Sequence, residues 1–184
     1  AAVGSSSCDK CAAGHWQSAT AQPSCVACAA GRANPTLASN HEGACLPCER
    51  GRFQAAVAEA RCVDCAAGKY QELAAQSFCV SCDFGTAQNV TASHLPCEDC
   101  VAGRYAADAG MTACARCAEG KASARVGGTH EAVCVLCSAG HYADATGLNV
   151  CKACSAGRFA HDGNAQGASD HGAHCLRCPA GKFQ

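Results

Sequence analysis

Apolar and polar positions alternate along this chain only over a few residues at a time. No stretch carries an apolar period long enough to define a large helix or a long strand. Short extended runs such as Arg104 to Ala106 and Val133 to Leu136 predict small β-hairpins, and the alanine-rich pieces Gln54 to Arg61 and Gln71 to Gln76 predict one or two helical turns. Segments this short cannot sustain an isolated helix, because nucleation is too costly, so little regular structure is expected. The long stretch from Phe159 to His174 reads as a surface excursion.

Against this weak background one pattern is strict. All twenty cysteines fall into ten C-x-x-C pairs, beginning at Cys8, Cys25, Cys45, Cys62, Cys79, Cys97, Cys114, Cys134, Cys151 and Cys175. Three residues after the second cysteine of each pair stands a glycine: Gly14, Gly31, Gly51, Gly68, Gly85, Gly103, Gly120, Gly140, Gly157 and Gly181. A glycine in ten repeats of ten implies a turn with positive φ or a close approach of another segment. The next residue is His, Arg or Lys in nine repeats, with Thr86 the exception, and the one after that is aromatic in seven: Trp16, Phe53, Tyr70, Tyr105, Tyr142, Phe159 and Phe183. Adjacent residues of an extended segment face opposite ways, so the aromatic is expected to turn inward and the basic side chain to face water. Successive pairs start 17, 20, 17, 17, 18, 17, 20, 17 and 24 residues apart, which makes residues 1–184 one continuous tandem array of small units.

Composition explains why cysteine is needed. Of the 49% hydrophobic residues, 42 are alanine and 20 cysteine, while Leu, Val, Phe and Ile together number 23 of 184. That is too little to bury an aliphatic core against a chain entropy of about 1–2 kcal/mol per ordered residue. Covalent staples are the natural replacement, and they persist outside the cell. Two other chemistries use the same spacing. Four-cysteine zinc sites accept C-x2-C-x13-C-x2-C, but here every pair relates alike to both neighbours. A redox C-x-x-C needs a thioredoxin-like context, and ten equivalent copies argue for staples.

A net charge of −1 with both signs interspersed gives no reason to expect nucleic acid. No apolar run approaches the roughly 18 residues of a membrane span, and the chain reads as a mature segment. Arg32, Arg52, Lys69, Arg104, Lys121, Arg158 and Lys182 would form a basic stripe, either a solvated edge or a face for acidic glycan or a neighbouring subunit. Histidines are scattered, with His161, His171 and His174 sharing the long loop with Asp162 and Asp170; a weak metal site and a plain polar loop are both open there. No Ser/His/Asp arrangement or phosphate loop stands out, so neither catalysis nor a cofactor is expected. Asn89-Val90-Thr91 is an N-glycosylation triplet, Asn34-Pro35-Thr36 is disqualified by its proline, and Ser5 to Ser7 are candidates for O-linked sugar.

The unit C-x-x-G-[basic]-[aromatic]-x(8)-C-x-x-C resembles the A-type cysteine-rich modules of tumour necrosis factor receptors and, more closely, the ephrin-receptor-like cysteine-rich repeats found in arrays on surface proteins. Proline after the second cysteine, usual in that family, occurs here only at Pro179, and the further cysteines of a complete tumour necrosis factor receptor domain are missing. The resemblance implies a small disulfide-rich repeat array, an elongated rod with short β-hairpins. It also implies that the second cysteine of one pair bonds the first of the next: Cys11 to Cys25, Cys28 to Cys45, Cys48 to Cys62, Cys65 to Cys79, Cys82 to Cys97, Cys100 to Cys114, Cys117 to Cys134, Cys137 to Cys151 and Cys154 to Cys175. Each thirteen-residue loop so closed is worth about 3 kcal/mol, and the aromatic would pack on a neighbouring bridge. This pairing leaves over Cys8 and Cys178. Placed end to end, two copies read C-P-A-G-K-F-Q-A-A-V-G-S-S-S-C across the joint, which matches the commonest repeat and pairs Cys178 with Cys8 of the next copy. The expectation is a structural protein of an extracellular filament or cell-surface coat, with copies of itself and glycans as partners; the alternative is a ligand-binding receptor or adhesion ectodomain.

Overall fold

A computed structural model describes residues 7–159 and 175–182. The loop 160–174 with its histidines and aspartates, Ser5, Ser6 and Phe183 lie outside the described residues.

Each repeat opens with a tight turn. The amide after the glycine donates to the carbonyl of the residue after the second cysteine, as in His15 N to Ala12 O, Arg52 N to Glu49 O and Lys182 N to Pro179 O, all 3.1 Å. The glycine is the third turn residue, and its φ lies between 77° and 83° in all ten repeats. A type II turn demands that value, which only glycine adopts without steric cost.

The two residues after the glycine form a strand that pairs antiparallel with the two residues inside the next C-x-x-C. His15–Trp16 pairs with Val26–Ala27, Arg52–Phe53 with Val63–Asp64, Lys69–Tyr70 with Val80–Ser81, and Arg158–Phe159 with Leu176–Arg177. Nine such two-stranded hairpins occur among the described residues, with no α-helix. The expected extended runs are strands of separate hairpins: Arg104–Tyr105 pairs with Ala115–Arg116, and Val135–Leu136 with Lys121–Ala122. A disulfide closes each hairpin, with Cα–Cα distances of 5.5–5.8 Å: Cys11–Cys25, Cys28–Cys45, Cys48–Cys62, Cys65–Cys79, Cys82–Cys97, Cys100–Cys114, Cys117–Cys134, Cys137–Cys151 and Cys154–Cys175. The fold is a small disulfide-rich repeat array with little regular secondary structure.

Between its strands, each of the eight hairpins whose bend is described turns about a second left-handed residue, seven after the glycine. Ala21, Ala38, Ala58, Ala75 and Ala92 hold φ of 54–65° there, and Gly110, Gly127 and Gly147 take the same place further on. Alanine in that region costs about 1–2 kcal/mol. In three hairpins of the first part a glutamine three after the glycine holds the bend shut. Gln17, Gln54 and Gln71 donate from Nε2 to the carbonyls of Ser24 (3.0 Å), Arg61 (2.7 Å) and Phe78 (2.8 Å), each just before the next cysteine. Their Oε1 atoms accept from the amides of Ala19, Ala56 and Leu73 at 2.9–3.1 Å. Here the alanine-rich pieces depart from the helical turns expected of them. Ala58 and Ala75 leave the right-handed region, and the glutamine takes an amide that a helix would use. In the two repeats with 20-residue spacing, the extra residues fold into single 3-10 turns, Glu42–Ala44 and Glu131–Val133, directly before Cys45 and Cys134.

The chain divides into two compact parts, residues 1–81 with 88–96 and residues 82–87 with 97–184. Within the first, Gly14, Gly31, Gly51 and Gly68 donate to the carbonyls of Asn34, Gln54, Gln71 and Gln88 in the following repeat at 2.7–2.8 Å. Ala38, Ala58, Ala75 and Ala92 return bonds of 2.8–2.9 Å to the carbonyls of Cys11, Cys28, Cys48 and Cys65. Contact reaches one repeat further. A Cβ on Gly14, Gly31 or Gly51 would strike the carbonyl of Ala58, Ala75 or Ala92, two repeats on. The second part repeats the scheme with Gly85, Gly103 and Gly120 donating to Ala106, Ser123 and Ala143, and with the carbonyls of Gly127 and Gly147 over Gly85 and Gly103.

Sulfur and small residues fill the interior. Cys28, Cys48, Cys65, Cys82, Cys100 and Cys117 are at most 1% exposed, whereas Leu37, Leu46, Val57, Val63 and Leu73 face solvent. The buried Asn34, Gln54, Gln71 and Ser123 have their polar atoms satisfied, and among the described residues no buried side-chain nitrogen or oxygen lacks a partner.

Candidate functional site

The structure spends the repeated side chains mostly on the repeats themselves. In the basic slot, Arg32 and Arg158 donate to the Cys45 and Cys175 carbonyls at 3.0 and 2.8 Å. Arg52 pairs with Asp64, its cross-strand partner, at 2.7 Å, and Lys121 pairs with Glu131 at 3.0 Å. Both ion pairs are solvent-exposed and worth about 0–1 kcal/mol. Four of the seven stripe residues therefore face internal acceptors, and the Asp64 and Glu131 carboxylates offset two of the charges. Lys152 and Asp144 form a further exposed pair at 2.6 Å, and this hydrogen bond holds the Lys152 ammonium above the ordinary lysine range.

The aromatic slot divides in two. Tyr142 is buried, 7% exposed, against Cys175 with Cys154 beside it, so here a ring does pack on a neighbouring bridge. Trp16, Phe53, Tyr70 and Phe159 are only half-buried, and each stands directly across its hairpin from Val26, Val63, Val80 or Leu176. Opposed residues of an antiparallel pair share a face, so each ring packs against an aliphatic side chain that remains partly open to water. The signal for this partner was the apolar residue right after the first cysteine in Cys25-Val26, Cys62-Val63, Cys79-Val80 and Cys175-Leu176.

Two grooves in the first part repeat the same surface. One of about 520 Å³ is lined by Leu46, Arg52 and Cys62, and one of about 390 Å³ by the equivalent Val63, Lys69 and Cys79. A third, of about 710 Å³, lies beside Cys8 and includes Lys10, Cys11, Gln17, Ser24 and Ala38. Cys8 is exposed and Cys178 half-buried, and neither is in a disulfide; the other eighteen cysteines are paired in nine structural disulfides, the staple among the three chemistries that share this spacing. Among the described residues no group of three His, Cys, Asp or Glu side chains is placed to hold a metal ion. Asn89 and Thr91 are exposed, just before the left-handed Ala92. No helix among the described residues is long and apolar enough to cross a membrane.

Against this geometry, residues 55–94 match the family described as tyrosine-protein kinase ephrin type A/B receptor-like. The matched stretch contains the whole Cys65–Cys79 hairpin, the Gln71 clamp and the left-handed Ala75 and Ala92, and the same elements recur in the repeats on either side. A search of curated proteins gives no match.

Proposed function

We propose that this tandem of ephrin-receptor-like cysteine-rich repeats is structural material outside the cell, the repeating unit of an extracellular filament or surface coat in which copies join head to tail. The observation that carries the reading is the equivalence of the repeats. The same turn and bridge recur, and the same backbone bonds tie repeat to repeat within each part. A scaffold that hands every contact to a neighbour of its own kind is suited to extension under load. The bonding rule gives the joint its chemistry. A second-position cysteine always bonds a first-position one, and the two left unbonded, Cys178 and Cys8, are one of each kind. Joining them oxidises two thiols, with two protons and two electrons passing to a small-molecule disulfide such as oxidised glutathione.

The family description supports a second reading, a receptor or adhesion ectodomain that captures a protein ligand. Both readings place the chain outside the cell or at its surface, with no catalytic role and with N-linked sugar at the exposed Asn89. Electron microscopy and non-reducing gels of native material separate them. Filaments and a reduction-sensitive ladder are expected; discrete monomers that bind a partner would replace this reading with the receptor one.

A further inference from the structure

We infer that the groove beside Cys8 is a socket for the C-x-x-G turn at Cys178 to Gly181 of a second copy. The inference rests on the head-to-tail reading and adds a non-covalent interface to its disulfide.

The surroundings of an internal turn are fixed by the repeat. The turn of Gly14 gives its amide to the Asn34 carbonyl (2.7 Å) and takes the Cys28 amide on its own carbonyl (2.8 Å). The Cys11 carbonyl before it receives the Ala38 amide (2.8 Å), the Ala58 carbonyl covers the glycine, and Cys11 bonds Cys25. Shifted back by one repeat, these partners become the Gln17 carbonyl, the Cys11 amide, the Ala21 amide, the Ala38 carbonyl and the Cys8 sulfur. The groove is lined by Cys8, Cys11, Gln17 and Ala38, four of those five positions, and by Gln22 next to the fifth. Among the described residues, the Gln17 carbonyl and the Cys11 and Ala21 amides make none of the backbone bonds that their counterparts make.

Asp9 and Lys10 take the places of Val26 and Ala27, the strand that pairs with His15–Trp16 in the next hairpin, yet they form no strand themselves. The complementary piece is on the same chain. Gly181 holds φ of 82° in the same turn, with Lys182 N bonded to Pro179 O at 3.1 Å, and Cys178 is out of any bridge. The occupant is a second copy because this groove continues the interface that already joins repeat to repeat, position by position.

The test uses the full chain with Cys8→Ser and Cys178→Ser, so that no covalent joint forms, followed by sedimentation velocity over a concentration series. Two further variants act from opposite sides. Gly181→Val would push a side chain into the Ala38 carbonyl of the partner, and Asp9→Pro removes the amide that faces the incoming strand. Intact mass with nine disulfides checks the fold of each.

The expectation is reversible self-association of the serine protein and its loss in either variant alone. Their equimolar mixture should form dimers and nothing larger, because each supplies the half that the other lacks. A serine protein that stays monomeric to its solubility limit, or variants that associate as it does, would overturn the socket. In that case oxidised wild-type protein still mapping a Cys178–Cys8 bridge would leave the head-to-tail reading standing, and its absence would remove both.

Discussion

Replacing Gly31 by alanine, set beside the same change at Gly147, separates two costs that coincide at Gly14, Gly31, Gly51, Gly85 and Gly103. Gly31 has φ of 80°, so any side chain pays left-handed strain of about 1–2 kcal/mol. A Cβ there would also lie 2.7 Å from the Ala75 carbonyl carbon and closer still to its oxygen, a backbone obstacle that cannot rotate away. Relief requires the Ala75 bend to move off, which strains the bonds from Gly31 N to Gln54 O (2.8 Å), Cys48 N to Gly31 O (2.9 Å) and Ala75 N to Cys48 O (2.8 Å). At about 1 kcal/mol net for each bond the total reaches about 4 kcal/mol. Gly147 is the control. Its φ is 78°, but an added Cβ would meet only the flexible Arg116 side chain at 3.4–3.5 Å, so Gly147→Ala should cost the strain alone. A repeat array opens locally, so the reporter is hydrogen exchange by mass spectrometry rather than one melting curve. At about 1.4 kcal/mol per tenfold, the Ala75 amide should exchange on the order of 1,000-fold faster in Gly31→Ala, and the Gly147 amide about tenfold faster in Gly147→Ala. Equal effects at the two sites would refute the carbonyl contact as the reason for the glycine.

At the second left-handed position the sign reverses: Ala58→Gly relieves strain and should slow local exchange by up to about 1 kcal/mol, net of the added freedom of the unfolded chain, and faster exchange would count against it. Gln71→Leu removes a clamp only 4% exposed and leaves the Phe78 carbonyl and Leu73 amide without it, a loss of about 2–3 kcal/mol that limited proteolysis between Glu72 and Phe78 should register. Tyr142→Ala should destabilise its repeat by about 3 kcal/mol, and Phe53→Ala, whose ring is half-buried, by clearly less; equal losses by calorimetry would contradict the difference in packing. For Lys152 the raised pKa fixes the sign: the contribution of its pair with Asp144 is whole below the ordinary lysine value and lost only as pH climbs through the raised one. Stability should thus be flat through neutral pH, and Asp144→Asn should bring the Lys152 titration, followed by NMR, down toward the ordinary range.

What could be read from the sequence was what repeats identically. The turn at each C-x-x-G follows from local chemistry, since positive φ at one fixed place selects glycine whatever surrounds it. The hairpins could be read for the same reason, as short extended runs between turn signals. The alanine-rich bends could not. Propensity favours a helical turn there, and it is overruled by Gln54 and Gln71, whose amides gain both partners only in the bent form. The left-handed position was hidden because alanine and glycine share it, as in Ala58 and Gly127, and alanine carries no conformational signal. The partners of the basic slot were hidden differently: the slot is basic in nine repeats of ten, but its partner is a carbonyl at Arg32, an aspartate at Arg52 and a glutamate at Lys121, which only the folded hairpins bring close.

The carbonyl that covers Gly14, Gly31, Gly51, Gly85 and Gly103 from two repeats away sets a lower limit on what can be cut from this protein. One excised hairpin would keep its bridge but lose both layers above its turn, and two would still leave a glycine bare. Three consecutive hairpins are the smallest fragment in which one turn is fully clothed. Dissection and grafting should therefore proceed in triplets, and any natural shortening or lengthening of the chain is best tolerated where a complete triplet survives on each side of the seam.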